Sequence, residues 1–196
     1  MVNTSGEYII KLTDNLEGAG ATFANTCPTT ILGNGHTMTL GLYSSISVQP
    51  GAQLNLGAAD GSDTLNISGG NKQNNDIPGL LYIQGTCNMY PGVTIADRKG
   101  ENYFGGGVYV SGGSSFVMNG GTISNNKANE MGGGVALIAS IDEIINGGWG
   151  NLQSSAQILG GTISGNEAND GAGVLASAYF YAAAYGLCAD LSLIHI

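Results

Sequence analysis

The residues of this chain that could carry out chemistry are few and scattered. Its acids include Asp60, Asp63, Asp76, Asp97, Glu101, Glu130, Asp142, Glu143, Glu167 and Asp170, spread along the sequence rather than clustered. Cleaving a polysaccharide requires converging groups: two or three carboxylates for hydrolysis, or a basic residue to take the proton, usually with calcium, for elimination. The densest charged run, Asp97-Arg98-Lys99, is read as a solvated turn, with an active centre as the alternative. His36, in Gly33-Asn-Gly-His-Thr, follows a turn, opens a strand and has no second ligand nearby, so it is read as an ordinary strand residue. Asp60-Gly-Ser-Asp63-Thr-Leu65 partly matches a calcium-binding nonapeptide through Gly61, Asp63 and Leu65. Such motifs hold calcium between tandem copies, and this one is single and lacks the paired glycines. It is read as a turn before a strand, with calcium as the alternative. No catalytic residue, metal-ligand set or cofactor is assigned.

Binding is the other chemistry open to these residues. Tyr82, Tyr90, Tyr103, Phe104, Tyr109 and Trp149 could form an aromatic strip for stacking on sugar rings, against the alternative of core or loop packing. Tyr103, Phe104 and Trp149 lie in loops and are the chosen contact residues. Asn126 and Asn166 fall at the same place in successive repeats, with Asn88, Asn119, Asn129 and Asn169 at or near turns. Asn126 and Asn166 are read as an asparagine ladder, in which each amide bonds the backbone of a neighbouring rung; sugar binding is the alternative. The Gly105-Gly-Gly107 run lacks the Gly-Lys-Ser and strand-turn-helix context of a phosphate loop, and it recurs along the chain.

Composition narrows the choice of scaffold. Gly accounts for 34 of 196 residues and charged residues for only 10%, while 42% are hydrophobic. That combination suits many tight turns between short β-prone runs rather than disorder. The net charge of −9, with only Lys11, Lys72, Arg98, Lys99 and Lys127 positive, argues against nucleic acid and against anionic membrane surfaces. Cys27, Cys87 and Cys188 show no CxxC spacing and are read as buried small hydrophobes, with a Cys27–Cys87 bridge as the alternative.

The elements that must position these residues form a repeat. Thr94, Thr122 and Thr162 are equivalent, 28 and 40 residues apart, and Val108, Val135 and Val174 are equivalent, 27 and 39 residues apart. One unit is about 27 residues, and the last interval carries an insertion of about 12. Each unit holds three short alternating runs separated by Gly corners, such as Val108-Tyr-Val110, Phe116-Val-Met118 and Thr122-Ile-Ser124. Alternation turns every second side chain inward. Stacked at about 4.8 Å per rung, these runs predict an all-β, right-handed parallel β-helix solenoid with three strands per rung and roughly six to eight rungs. Tyr8–Leu12, Thr29–Leu32, Thr37–Leu40, Ile46–Val48, Gln53–Leu56, Thr64–Ile67 and Leu80–Ile83 read as earlier strands. Ile138–Ile145 is a candidate helix within the insertion at about 138–153, and a short helix could cap the N-terminal end.

The runs Gly120-Gly-Thr-Ile-Ser-Asn-Asn126, Gly160-Gly-Thr-Ile-Ser-Gly-Asn166 and the Gly-Gly-Gly-Val segments resemble right-handed β-helix surface proteins. They are similar to polymorphic outer-membrane-type repeats and to large cell-surface proteins of gut bacteria, over about residues 80–176 and more loosely over 20–80. The resemblance implies a pectate-lyase-like solenoid, secretion and surface display. It does not imply one activity, because the fold carries adhesins and polysaccharide-degrading enzymes alike.

The domain is expected to span 1–178, with an irregular end at 179–190. Residues 191–196, Leu-Ser-Leu-Ile-His-Ile, resemble the translation of a transposon-end adapter used in sequencing libraries and are read as a foreign tail. Met1–Gly6 lacks the features of a signal peptide, so the chain is read as a fragment. The uncharged stretch Ala172–Ala189 falls short of the roughly 20 strongly apolar residues a membrane helix needs. The expectation is a non-catalytic extracellular or cell-surface solenoid, adhesin-like or structural, that binds host or bacterial glycans or surface proteins. The alternative is a fragment of a polysaccharide lyase or glycoside hydrolase.

Overall fold

A computed structural model describes residues 6–41, 44–69, 71–72, 79–100, 104–140, 154–179 and 194–195. Among these the regular elements are all strands, and no helix there is long and apolar enough to cross a membrane. The strands follow one another around a coil. The first coil contributes β1 (Tyr8–Lys11) and β2 (Leu16–Ala19), and the second β3 (Ala21–Phe23), β4 (Thr29–Leu32) and β5 (Thr37–Leu40). The third holds β6 (Ile46–Val48), β7 (Gln53–Leu56) and β8 (Leu65–Gly69), followed by the short β9 (Asn71–Lys72). The fourth holds β10 (Leu81–Ile83), β11 (Thr86–Met89) and β12 (Val93–Ala96), followed by β13 (Lys99–Gly100). The fifth holds β14 (Val108–Val110), β15 (Ser115–Met118) and β16 (Thr122–Ser124). The sixth holds β17 (Val135–Ser140), β18 (Ser155–Ile158) and β19 (Thr162–Ser164), and then come β20 (Val174–Tyr179) and β21 (Ile194–His195).

Equivalent strands stack in parallel into three long sheets. Sheet 1 runs β3-β6-β10-β14-β17-β20, sheet 2 runs β1-β4-β7-β11-β15-β18-β21, and sheet 3 runs β2-β5-β8-β12-β16-β19. The molecule is a parallel β-helix of about six coils. Its registers match the repeat read from the sequence: Thr94 pairs with Thr122 and Thr122 with Thr162, while Val108 pairs with Val135 and Val135 with Val174.

The core is the space enclosed by the three sheets. Ile46, Leu81, Val108 and Val135 form one inward file in sheet 1; Leu54, Cys87, Phe116 and Ala156 form one in sheet 2; Ile67, Ile95 and Ile123 form one in sheet 3, all of them buried. Each strand supplies little apolar area, so burial depends on stacking the coils, as in any solenoid. At the N-terminal end the strands β1, β2 and β3 are bonded on one side only, and Ile9, Ile10 and Leu16 are exposed there.

Two expectations change, and one falls outside the described residues. Ile138–Ser140 continues strand β17 rather than opening a helix, pairing with Ser177–Tyr179; the remainder of the candidate helix and of the insertion lies outside the described residues. Val135, Ala136, Leu137 and Ile138 are all buried, and a strand covered on both faces reads as a continuous apolar run that mimics a helix segment. The chain already runs as strand β1 from Tyr8, and residues 1–5, where a capping helix would fall, lie outside the described residues.

The cysteines also differ from expectation. Cys87 is buried in the core as a free thiol, but Cys27 is free and exposed, so neither the bridge nor the burial of Cys27 holds; Cys188 lies outside the described residues. Burial pushes the Cys87 thiol pKa up, which removes the reactive thiolate. In native protein, alkylation with mapping by mass spectrometry is expected to label Cys27 within minutes and Cys87 only on unfolding. Equal labelling of both would contradict the closed core.

Candidate functional site

The corner between sheets 3 and 1 holds the asparagines. Asn126 follows β16 and is fully buried. Its Nδ2 donates to the Ile95 carbonyl at 3.0 Å and to Asn166 Oδ1 at 3.1 Å, while its Oδ1 accepts the Arg98 N–H at 3.2 Å. Asn166 repeats the pattern: its Oδ1 accepts the Asn126 N–H at 2.9 Å and its Nδ2 donates to the Ile123 carbonyl at 3.0 Å. Each amide therefore reaches the backbone of the preceding coil. The file begins at Arg98, which takes the asparagine position one coil earlier. Arg98 is 1% exposed, so the reading of Asp97-Arg98-Lys99 as a wholly solvated turn is corrected. Loss of hydration lowers the Arg98 guanidinium pKa to about 10, because burial disfavours the charged form.

A second ladder was not foreseen. Asn88 stands within β11 on the outer face of sheet 2, not at a turn. Its Nδ2 donates to Asn55 Oδ1 at 2.9 Å, Asn55 donates to Thr30 Oγ1 at 3.2 Å, and Thr30 donates to Glu7. The signal was available: Thr30, Asn55 and Asn88 occupy one register across three coils.

Two of the acids, Asp60 and Asp63, are engaged in turns. The Asp63 carboxylate accepts the Gly33 and Asn34 N–H groups at 2.8 Å each, tying the corner of one coil to that of the previous one. Asp60 accepts from the Ser62 hydroxyl and backbone N–H, and these bonds lower its pKa. Lys127 and Glu167 form an ion pair at 3.2 Å. His36 donates its N–H to Gly33 and accepts from Asn66, as a residue at a strand start does. Among the described residues no three His, Cys, Asp or Glu side chains come close enough to hold a metal ion; Asp76, Glu101, Asp142 and Glu143 lie outside them.

What the structure does bring together is an aromatic strip on the outer face of sheet 1. Leu81-Tyr-Ile83 and Val108-Tyr-Val110 both alternate, so their flanking residues enter the core and both tyrosines point outward. Tyr82 and Tyr109 are in register, with ring centroids 5.4 Å apart and planes inclined at 50°. Phe104 joins them with its centroid 6.2 Å from that of Tyr109. Gly105 lets the loop lie down on the sheet: its φ is +60, and a Cβ there would sit 2.7 Å from the Tyr109 Cβ. Phe104 is held in parallel alignment with Met131 of the next coil. All three rings are half-buried. Of the chosen contact residues, Phe104 belongs to the strip, whereas Tyr103 and Trp149 lie outside the described residues. Tyr90 sits at the corner after β11, away from the strip.

Two tyrosines anchored on a sheet and a phenylalanine beside them offer apolar area at low entropic cost, a property that suits stacking on sugar rings. No protein-family model, curated protein or solved structure matches the chain.

Proposed function

We propose that this chain is a non-catalytic, adhesin-like solenoid of an extracellular or cell-surface protein, related to the pectate-lyase-like surface repeats of bacteria, and that it binds glycan through Tyr82, Tyr109 and Phe104. One observation carries the reading: Tyr82 and Tyr109 stand side by side in register on the outer face of sheet 1, next to the small Ser47 of the same file, and Phe104 from the adjoining loop lies beside Tyr109. The small share of charged residues and the use of Asp60, Asp63 and Glu167 in turns and in an ion pair support it.

The test is a glycan array followed by titration of the best ligand. Tyr109→Ala is expected to weaken binding by roughly tenfold or more, as removal of a central aromatic anchor does, with the unfolding midpoint little changed. A variant that binds like the wild type, or an array without a single ligand, removes the reading. Incubation with the same polysaccharides is expected to release no new reducing ends and no unsaturated products. Release would favour a lyase or glycoside hydrolase fragment instead.

A further inference from the structure

Beside the aromatic strip, at the corner between sheets 3 and 1, the β16–β17 and β19–β20 connections lie parallel to each other. Their backbones are joined by hydrogen bonds from Ala128 N–H to Glu167 O at 2.9 Å, Glu167 N–H to Asn126 O at 2.8 Å and Asp170 N–H to Glu130 O at 2.8 Å. Between them lies a groove of about 410 Å³ lined by Lys127, Ala128, Asn129, Glu130, Glu167, Ala168 and Asn169. A groove framed by paired backbone is pre-formed, and this one is open and polar, the shape for one face of a chain rather than for an enclosed small molecule. It is linked to the strip through Met131, which is next in the chain to Glu130 and is aligned with Phe104 on one side and with Asp170 on the other.

The chemistry of the lining is specific. Lys127 is neutralised by Glu167 at 3.2 Å, which leaves Glu130 as the remaining charge in the groove. Asn129 and Asn169 are exposed, one from each connection, and each amide offers two donors and an acceptor. Amides with a carboxylate match groups that both donate and accept, which is what sugar hydroxyls do. An anionic sugar meets Glu130 and the −9 charge of the chain. Resting on the glycan reading above, we infer that this groove is a second subsite, which takes a hydroxyl-rich neutral sugar of the same linear polysaccharide that stacks on Tyr82, Tyr109 and Phe104.

Affinity electrophoresis of the full chain in gels containing mannan, xyloglucan or laminarin (neutral), polygalacturonate (anionic) or chitosan (cationic) tests this. At least one neutral polysaccharide is expected to retard the protein with little dependence on salt. The double variant Asn129→Ala/Asn169→Ala alters exposed side chains and is expected to keep the wild-type unfolding midpoint while losing about tenfold in affinity, the effect of one or two lost hydrogen bonds. Retardation by polygalacturonate alone or by chitosan alone overturns the inference. So does a double variant that is retarded like the wild type; if Tyr109→Ala is then still impaired, only the groove falls and the aromatic reading stands. No retardation in any gel removes both.

Discussion

Gly106→Ala is expected to destabilise the fold by about 3 kcal/mol or more, at the upper end of what overpacking costs. The added Cβ would lie 2.3 Å from the Gly133 carbonyl oxygen and 2.9–3.0 Å from the Lys127 backbone. None of these atoms is the end of a flexible side chain, so two coils would have to separate. The bonds at stake are those from the Gly105, Gly106 and Gly107 N–H groups to Met131, Gly132 and Gly133 of the next coil, at 2.9 to 3.0 Å. A Cβ added at Gly133 would make the same approach one coil later, 2.7 Å from the Ala172 carbonyl oxygen and 2.5 Å from that of Glu167, which explains why the Gly-Gly-Gly-Val run recurs. Gly51→Ala is the control. Gly51 has φ +79 but nothing within 4 Å of an added Cβ, so only the left-handed backbone is penalised, at about 1 kcal/mol. Urea midpoints for the two variants separate the effects. If Gly106→Ala costs no more than Gly51→Ala, close coil packing is not why the glycines are there.

Asn126→Ala should cost about 3 kcal/mol. The change removes the amide bonds to the Ile95 carbonyl and from the Arg98 N–H in a buried corner, and losing a hydrogen-bond partner there costs about 1–3 kcal/mol each. Asn126→Asp does not rescue it: an ionised carboxylate cannot donate to Ile95 O or to Asn166 Oδ1 and places charge in a buried site. Asn166→Ala, at a half-buried position, is expected to cost less, about 1 kcal/mol. Denaturant unfolding gives the order. Faster amide exchange at Arg98 in Asn126→Ala locates the damage. Equal costs at the two positions would mean that burial of the ladder is not what makes it matter.

These predictions rest on features of unequal legibility. The three-strand coil was readable because alternation at period two and Gly at the corners are local properties. Thr94, Thr122 and Thr162 align by sequence alone, and the coils stack them. β2 and β3 were not readable, since Leu16-Glu-Gly-Ala and Ala21-Thr-Phe each carry a single large apolar side chain and are recruited by pairing with β5 and β6. Arg98 was misread for a related reason. A charged triplet looks solvated until the asparagine column shows that its middle member lies on the inside of the corner.

The chain's own order of residues determined the fold class, the repeat and the ladder of Asn126 and Asn166, because each is written in short-range pattern and recurrence. Only the tertiary structure decided which side chains meet. Tyr82 and Tyr109 share a strip because coils of 27 residues return to the same register, and Phe104 joins them because Gly105 turns the loop back onto the sheet. The groove between Asn129 and Asn169 exists because two connections separated by an insertion still stack. A pattern can be read along one coil, but a site on a solenoid is made between coils, where the deciding distances run across the stack rather than along the chain.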